Sequence, residues 1–171
     1  MISRHVRFTG RATLYPGVII ECDASSTCTI GDGVVLYPGV RIVAAYGGSV
    51  SLGAGVLMGE GGGSEARADR PGSAITIADR ARLTHGAQVL GHSDIGVGAQ
   101  IIGQIVAQSV TLADGEDSSF PDPDRRGGVL KGIGIARSLS VGVGEVVNGL
   151  GDFSQARAER QRSYHPDAPG A

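Results

Sequence analysis

The chain places a small residue two positions before a larger aliphatic one, and the pair recurs every six residues. It reads Cys28-Thr29-Ile30, Val34-Val35-Leu36 and Val40-Arg41-Ile42, then Ile75-Thr76-Ile77, Ala81-Arg82-Leu83, Ala87-Gln88-Val89, Ser93-Asp94-Ile95 and Ala99-Gln100-Ile101. An amphipathic helix would return its apolar positions at three and four, and a strand of ordinary length would alternate without a break. The register instead predicts very short strands, each burying two alternate side chains before the backbone turns a corner. Gly31, Gly33, Gly53, Gly55, Gly96 and Gly98 fall where those corners are expected. A fixed period marks a repeat architecture.

The same phase begins early, with Val6-Arg7-Phe8, Ala12-Thr13-Leu14 and Val18-Ile19-Ile20. Ile20 is followed by a buried position ten residues on, at Ile30, and Ile42 by one ten residues on, at Leu52, which predicts two loops stacked on one edge. Leu14-Tyr15-Pro16-Gly17-Val18 and Leu36-Tyr37-Pro38-Gly39-Val40 are near copies, so Tyr15 is expected directly beneath Tyr37. The phase is lost after Met58 and resumes at Ile75, which reads as a long, flexible, glycine-rich excursion over 59–72. A second excursion is expected from about Ala113 to Gly132, after which Ile135, Val141 and Val147 restore the beat. Residues 1–150 therefore read as the repeat domain and 151–171 as a polar tail. That tail carries Arg157-Ala158-Glu159-Arg160-Gln161-Arg162 as a helical turn or reaching arm, then Tyr164, a solvent-exposed His165 and a frayed end from Pro166 to Ala171.

Composition fits a narrow tube. Glycine supplies 29 of 171 residues and aromatic residues only 4%, so the core is built from Val, Ile, Leu and Ala rather than rings. A net charge of −2 without a basic stripe argues against nucleic acid or a membrane as partner. The amino-terminal residues lack an apolar signal segment and no window reaches the length of a membrane span, so a cytoplasmic protein is expected. Cys28 falls on an inward position, which predicts a buried thiol rather than a disulfide with Cys22.

These residues resemble the hexapeptide-repeat superfamily, over nearly the whole stretch from Val6 to Leu112. The resemblance implies an all-β left-handed parallel β-helix, a three-sided prism with long loop excursions and a short carboxy-terminal tail. It also implies a homotrimer with active sites in the clefts between subunits. Within the superfamily the spacing is most similar to the γ-class carbonic anhydrases, through Thr29-Ile30-Gly31-Asp32-Gly33, Met58-Gly59-Glu60-Gly61 and Leu83-Thr84-His85. By that likeness His85 stands where a zinc-ligating histidine stands, and Glu60 matches an acid of that family. The family's Leu-His-Gly segment reads Val89-Leu90-Gly91 here, with His92 two places later, and its arginine position is Val43.

The expected function is a trimeric γ-carbonic-anhydrase-like enzyme with a diverged intersubunit site. It would act on a small organic molecule by acid–base chemistry of lyase, hydrolase or cyclase type, with or without a divalent transition metal such as zinc. His85 and Glu60 are the catalytic candidates, since an imidazole titrating near neutrality serves as base or ligand and a neighbouring carboxylate can orient it. His85 and His92 are the metal candidates, the third ligand coming from Glu65, Glu60 or a neighbouring subunit. Glu65, Arg67, Arg70 and Gly86 are the substrate-binding candidates, the arginines suited to an anionic group. A second reading is a hexapeptide-repeat acyltransferase on a coenzyme A thioester, with His85 as base and the amide of Gly86 or Gly91 stabilising the oxyanion. A third is a non-catalytic trimeric scaffold.

Overall fold

The fold is known from a computed structural model, which describes residues 1–168. It is the expected all-β left-handed parallel β-helix, a prism of three ladders. The first face stacks Val6–Phe8, Thr27–Ile30, Ser49–Leu52, Ala74–Ile77, Ser93–Ile95, Thr111–Leu112 and Ser140–Val141. The second stacks Ala12–Leu14, Val34–Leu36, Leu57–Glu60, Arg82–Thr84 and Gln100–Ile102. The third stacks Ile19–Cys22, Arg41–Ala44, Glu65–Ala68, Gln88–Leu90 and Ile105–Gln108. Val129–Arg137 runs along both, pairing with Gln100–Ile102 through its first part and with Ile105–Gln108 through its last. Glu145–Asp152 follows it on the next rung.

The inward positions are those the six-residue beat selects. Cys28, Ile30, Val34, Leu36, Val40, Ile42, Ile75, Ile77, Ala81, Leu83, Ala87, Val89, Ile95, Ala99 and Ile101 are all buried. The inward polar residue Ser93 is satisfied, its hydroxyl donating to Leu90 O at 3.2 Å and accepting from Val110 N at 3.2 Å. Both thiols are free and buried, and burial pushes Cys28 up to about 12. The stacked loops at 23–26 and 45–48 are joined by Asp23, which accepts from Tyr46 N at 2.7 Å and is held down at about 2, chiefly by that bond. Tyr15 and Tyr37 stack as the repeat requires, with centroids 5.3 Å apart and planes inclined by 5°.

Four expectations are corrected. The stretch 59–72 is not a loose excursion: Glu65–Ala68 is a full rung of the third face with Ala66 and Ala68 inward, joined to the second face by the Gly61-Gly62-Gly63 corner. Alanine fills the tube there without giving a strong aliphatic signal. The second excursion ends at Gly128, where Val129–Arg137 begins, and Ala136 rather than Ile135 turns inward. The expected domain boundary at 150/151 falls within Glu145–Asp152. The tail does not reach away but folds back, Ala158–Arg160 pairing antiparallel with Glu145–Val147. Of the end expected to fray from Pro166, residues 166–168 are described, and there Ala168 N donates to His165 O at 3.1 Å. Residues 169–171 of that expected frayed end lie outside the described residues. Among the described residues no helix is long and apolar enough to cross a membrane.

Glycines mark the second-to-third edge where rungs touch. Gly132 has φ +123°, and a Cβ on it would run into the carbonyl oxygen of Gly149 on the next rung. Gly132→Ala is expected to cost about 3 kcal/mol by chemical denaturation, from backbone strain plus collision with main chain that cannot swing aside. Loss of under about 0.5 kcal/mol would contradict the tight rung contact. Buried thiols are inert, so neither cysteine should react with Ellman's reagent at pH 8 until the chain is unfolded in guanidinium. Stoichiometric reaction of the folded protein would contradict their burial.

Candidate functional site

One bulge sets the site. In a regular rung Leu57 points out, Met58 in, and Glu60 would point in again; the extra residue Gly59, at φ +91°, shifts the register so that Glu60 pairs with Thr84. A Cβ on Gly59 would collide with Val40, so the bulge requires glycine. The Glu60 carboxylate thereby faces Arg82, whose Nη2 donates to Oε2 at 2.7 Å. Arg82 Nη1 also reaches Ser118 Oγ at 3.4 Å, while its Nε is buried without a partner.

His85 follows on the edge between the second and third faces. Its backbone is left-handed, at φ +58°, and its N–H donates to Glu60 O at 2.8 Å, which fixes the turn. The exposed ring lies against Gly61, where an added Cβ would meet Cδ2 at 2.8 Å and Nε2 at 2.9 Å. Nδ1 lies 3.0 Å from Thr84 Oγ1, and Nε2 has no hydrogen-bond partner among the described residues. Next to it Gly86, at φ +86°, keeps its N–H without a partner among the described residues, whereas Gly91 N donates to Arg67 O at 3.2 Å. Of the two amides considered for an oxyanion, Gly86 is the open one.

The structure brings His85, Glu60 and Gly86 together, but the Glu60 side chain serves Arg82, and Thr84 rather than Glu60 orients the imidazole. His92 lies beyond the strand Gln88–Leu90, at the edge between the third and first faces, so one chain does not unite it with His85. Among the described residues no three His, Cys, Asp or Glu side chains are grouped to hold a metal ion. Glu65 and Arg67 stand outward on the third face and pair with each other; Arg67 also lies 3.6 Å from Asp69, so its guanidinium is already engaged by carboxylates. Arg70 is exposed and lines, with Arg67, Asp69 and Gln108, a depression of about 160 Å³ beside the third face. Val43 is buried on the third face between Glu21 and Arg67, and the arginine that meets Glu60 comes instead from Arg82.

Sequence reasoning missed a cleft of about 360 Å³ on the second face. Gln100, Ile102, Val129, Lys131 and Val146 form its floor, and Ser118, Arg126, Gln161, Tyr164 and His165 its walls. The walls come from the loop 113–128 and the returning tail. Asp122 and Asp124 clamp that tail: Arg162 Nη2 donates to Asp122 Oδ1 at 2.6 Å and Arg162 Nε to Asp124 Oδ2 at 2.7 Å, with Arg160 Nη2 on Asp124 Oδ1 at 2.9 Å. The bond from Arg162 is the main reason the Asp124 carboxyl is held below its ordinary 3.8. His165 is exposed, as expected, and so is Tyr164, yet both border the cleft.

The six-residue period and three-faced coil are those of a left-handed parallel β-helix. No family model and no curated protein matches the chain. Among solved structures it is similar to the polySia specific acetyltransferase NeuO, at 14% identity and TM-score 0.49, over 92% of this chain and 87% of that one. A likeness so distant says nothing about which side chains do chemistry.

A carboxylate whose folded pKa is depressed contributes stability above its ordinary pKa and loses it as pH falls through the lowered value. The protection of the Ala158–Tyr164 amides from hydrogen exchange, relative to their unfolded-chain rates at each pH, should therefore fall as pH drops below about 3.8, and Asp124→Asn should show the faster exchange already at pH 7. Equal exchange in the variant and the parent at pH 7 would remove the clamp from the account.

Proposed function

We propose that the chain is a hexapeptide-repeat acyltransferase that works as a homotrimer, with His85 as general base. The observation that carries this reading is the pairing of an imidazole oriented through Nδ1, with Nε2 open, and an adjacent unbonded Gly86 N–H on the same exposed corner. Acyl transfer needs these two parts. A metal-dependent lyase needs about three ligands, two of which would have to come from outside the group around His85.

In the proposed reaction Nε2 takes the proton of an acceptor hydroxyl or amine as that atom attacks the thioester carbonyl of an acyl-coenzyme A. The carbonyl oxygen gains negative charge and accepts from Gly86 N–H. Collapse of the tetrahedral species expels the coenzyme A thiolate, which takes the proton back from the imidazolium, so that ester or amide and free thiol are the products. Thr84 holds the ring in one orientation, a positioning role. Gly61 leaves the ring its place. The similar acetyltransferase agrees in reaction class, though the likeness is too distant to support the reading.

The test is release of free thiol from acetyl-coenzyme A in the presence of a panel of amines and hydroxylated acceptors. His85→Asn should lower the rate at least about a hundredfold while leaving circular dichroism and the oligomeric state unchanged, and Thr84→Val should lower it less. No thiol release with any acceptor, or undiminished turnover by His85→Asn, would sink the proposal.

A further inference from the structure

The second-face cleft lies outside the residues that carry the proposed chemistry, although it opens one rung beyond them: Ile102 on its floor is the ladder partner of Thr84, and Lys131 is the partner of Ile102. Its charge is one-sided. Arg126 and Lys131 line it as cations and no carboxylate does. Arg41, Arg67, Arg80, Arg82, Arg125, Arg160 and Arg162 all pair with carboxylates, yet among the described residues neither Arg126 nor Lys131 does.

Both cations are positioned. Arg126 Nε donates to Phe120 O at 2.8 Å, and its Nη1 lies 3.3 Å from His165 Nε2, so the guanidinium is held while donor capacity remains. The Lys131 ammonium lies 5.6 Å from the centroid of the Tyr164 ring. Tyr164 in turn donates to Glu159 Oε2 at 2.8 Å, which anchors the ring. Between these groups the floor is apolar, from Ile102, Val129 and Val146. A volume of about 360 Å³ suits a small molecule.

We infer that this cleft binds a small organic anion, a carboxylate or phosphate monoester on a short aliphatic stem. The anionic head lies between Lys131 and Arg126, and the stem lies on Val129 and Val146. Charge-assisted hydrogen bonds from two cations supply the specificity, and burial of the stem makes the ligand better than the bare anion. The site stands independently of acyl transfer.

Calorimetric titration of the full chain with butyl phosphate, butyrate and inorganic phosphate tests it. At least one butyl anion should bind saturably and more tightly than inorganic phosphate, and butylammonium should not bind; the ratio of butyl phosphate to butyrate tells which head the cleft takes. Lys131→Ala should weaken the preferred anion about tenfold or more, and Lys131→Arg should retain most of the affinity. Arg126→Ala should weaken it similarly, its fold being checked by circular dichroism. His85→Asn should bind it unchanged, so that failure of the acyl-transfer reading and failure of this one are separate events. The proposal is overturned if neither butyl anion binds, if butylammonium binds as well, or if Lys131→Ala leaves the affinity unaltered.

Discussion

Each rung of this molecule takes its backbone hydrogen bonds from the rungs on either side, in parallel register, and every other feature depends on that dependence. Parallel strands in register place like positions in columns at rungs about 4.8 Å apart. Inward columns must then be filled by aliphatic side chains of compatible size, because a wide ring or an unpartnered polar group in one rung would be felt by its two neighbours. The outward columns are free to vary, and function is written there. The stacked Tyr15 and Tyr37 show how tightly the register is kept: their planes differ by 5°.

The candidate site arises where the register is deliberately disturbed. Gly59 inserts one residue, turns Glu60 outward and gives Arg82 a carboxylate. The same disturbance lets Glu60 O catch the amide of His85, whose left-handed backbone then presents the ring on the corner. A run of glycines at 61–63 leaves the ring room. A repeating scaffold thus obtains a unique corner from one extra residue, without a separate domain.

The sequence was a good guide wherever the inward residue was large. Ile30, Leu36, Ile42, Ile77, Leu83 and Ile101 fall on the six-residue beat, Leu52 lies across the expected ten-residue break, and all are buried. It misled where small residues fill the tube: Ala66 and Ala68 hid a complete rung, and Ile135 drew attention from Ala136. The corner position of His85 was readable from Leu83, two places earlier. Thr84 and Arg82 were not singled out, because an outward residue becomes chemically meaningful only when its neighbours in the column are known. The second-face cleft was beyond reach for a related reason. Its floor comes from three successive rungs, its walls from a loop and a tail, and no local pattern unites Ser118, Arg126 and His165.

A stack of parallel rungs has ends, and an uncovered final rung is a template on which another chain can continue the ladder. Here Ala158–Arg160 lies antiparallel on Glu145–Val147, a direction that the coil itself never uses. A copy arriving in the parallel sense finds Glu145–Val147 already paired, with charged Glu159 and Arg160 upon it. The clamp of Asp122 and Asp124 on Arg162 therefore does more than wall a cleft. By keeping that last strand seated, it occupies the part of the final rung at Glu145–Val147 on which a second copy could otherwise continue the ladder.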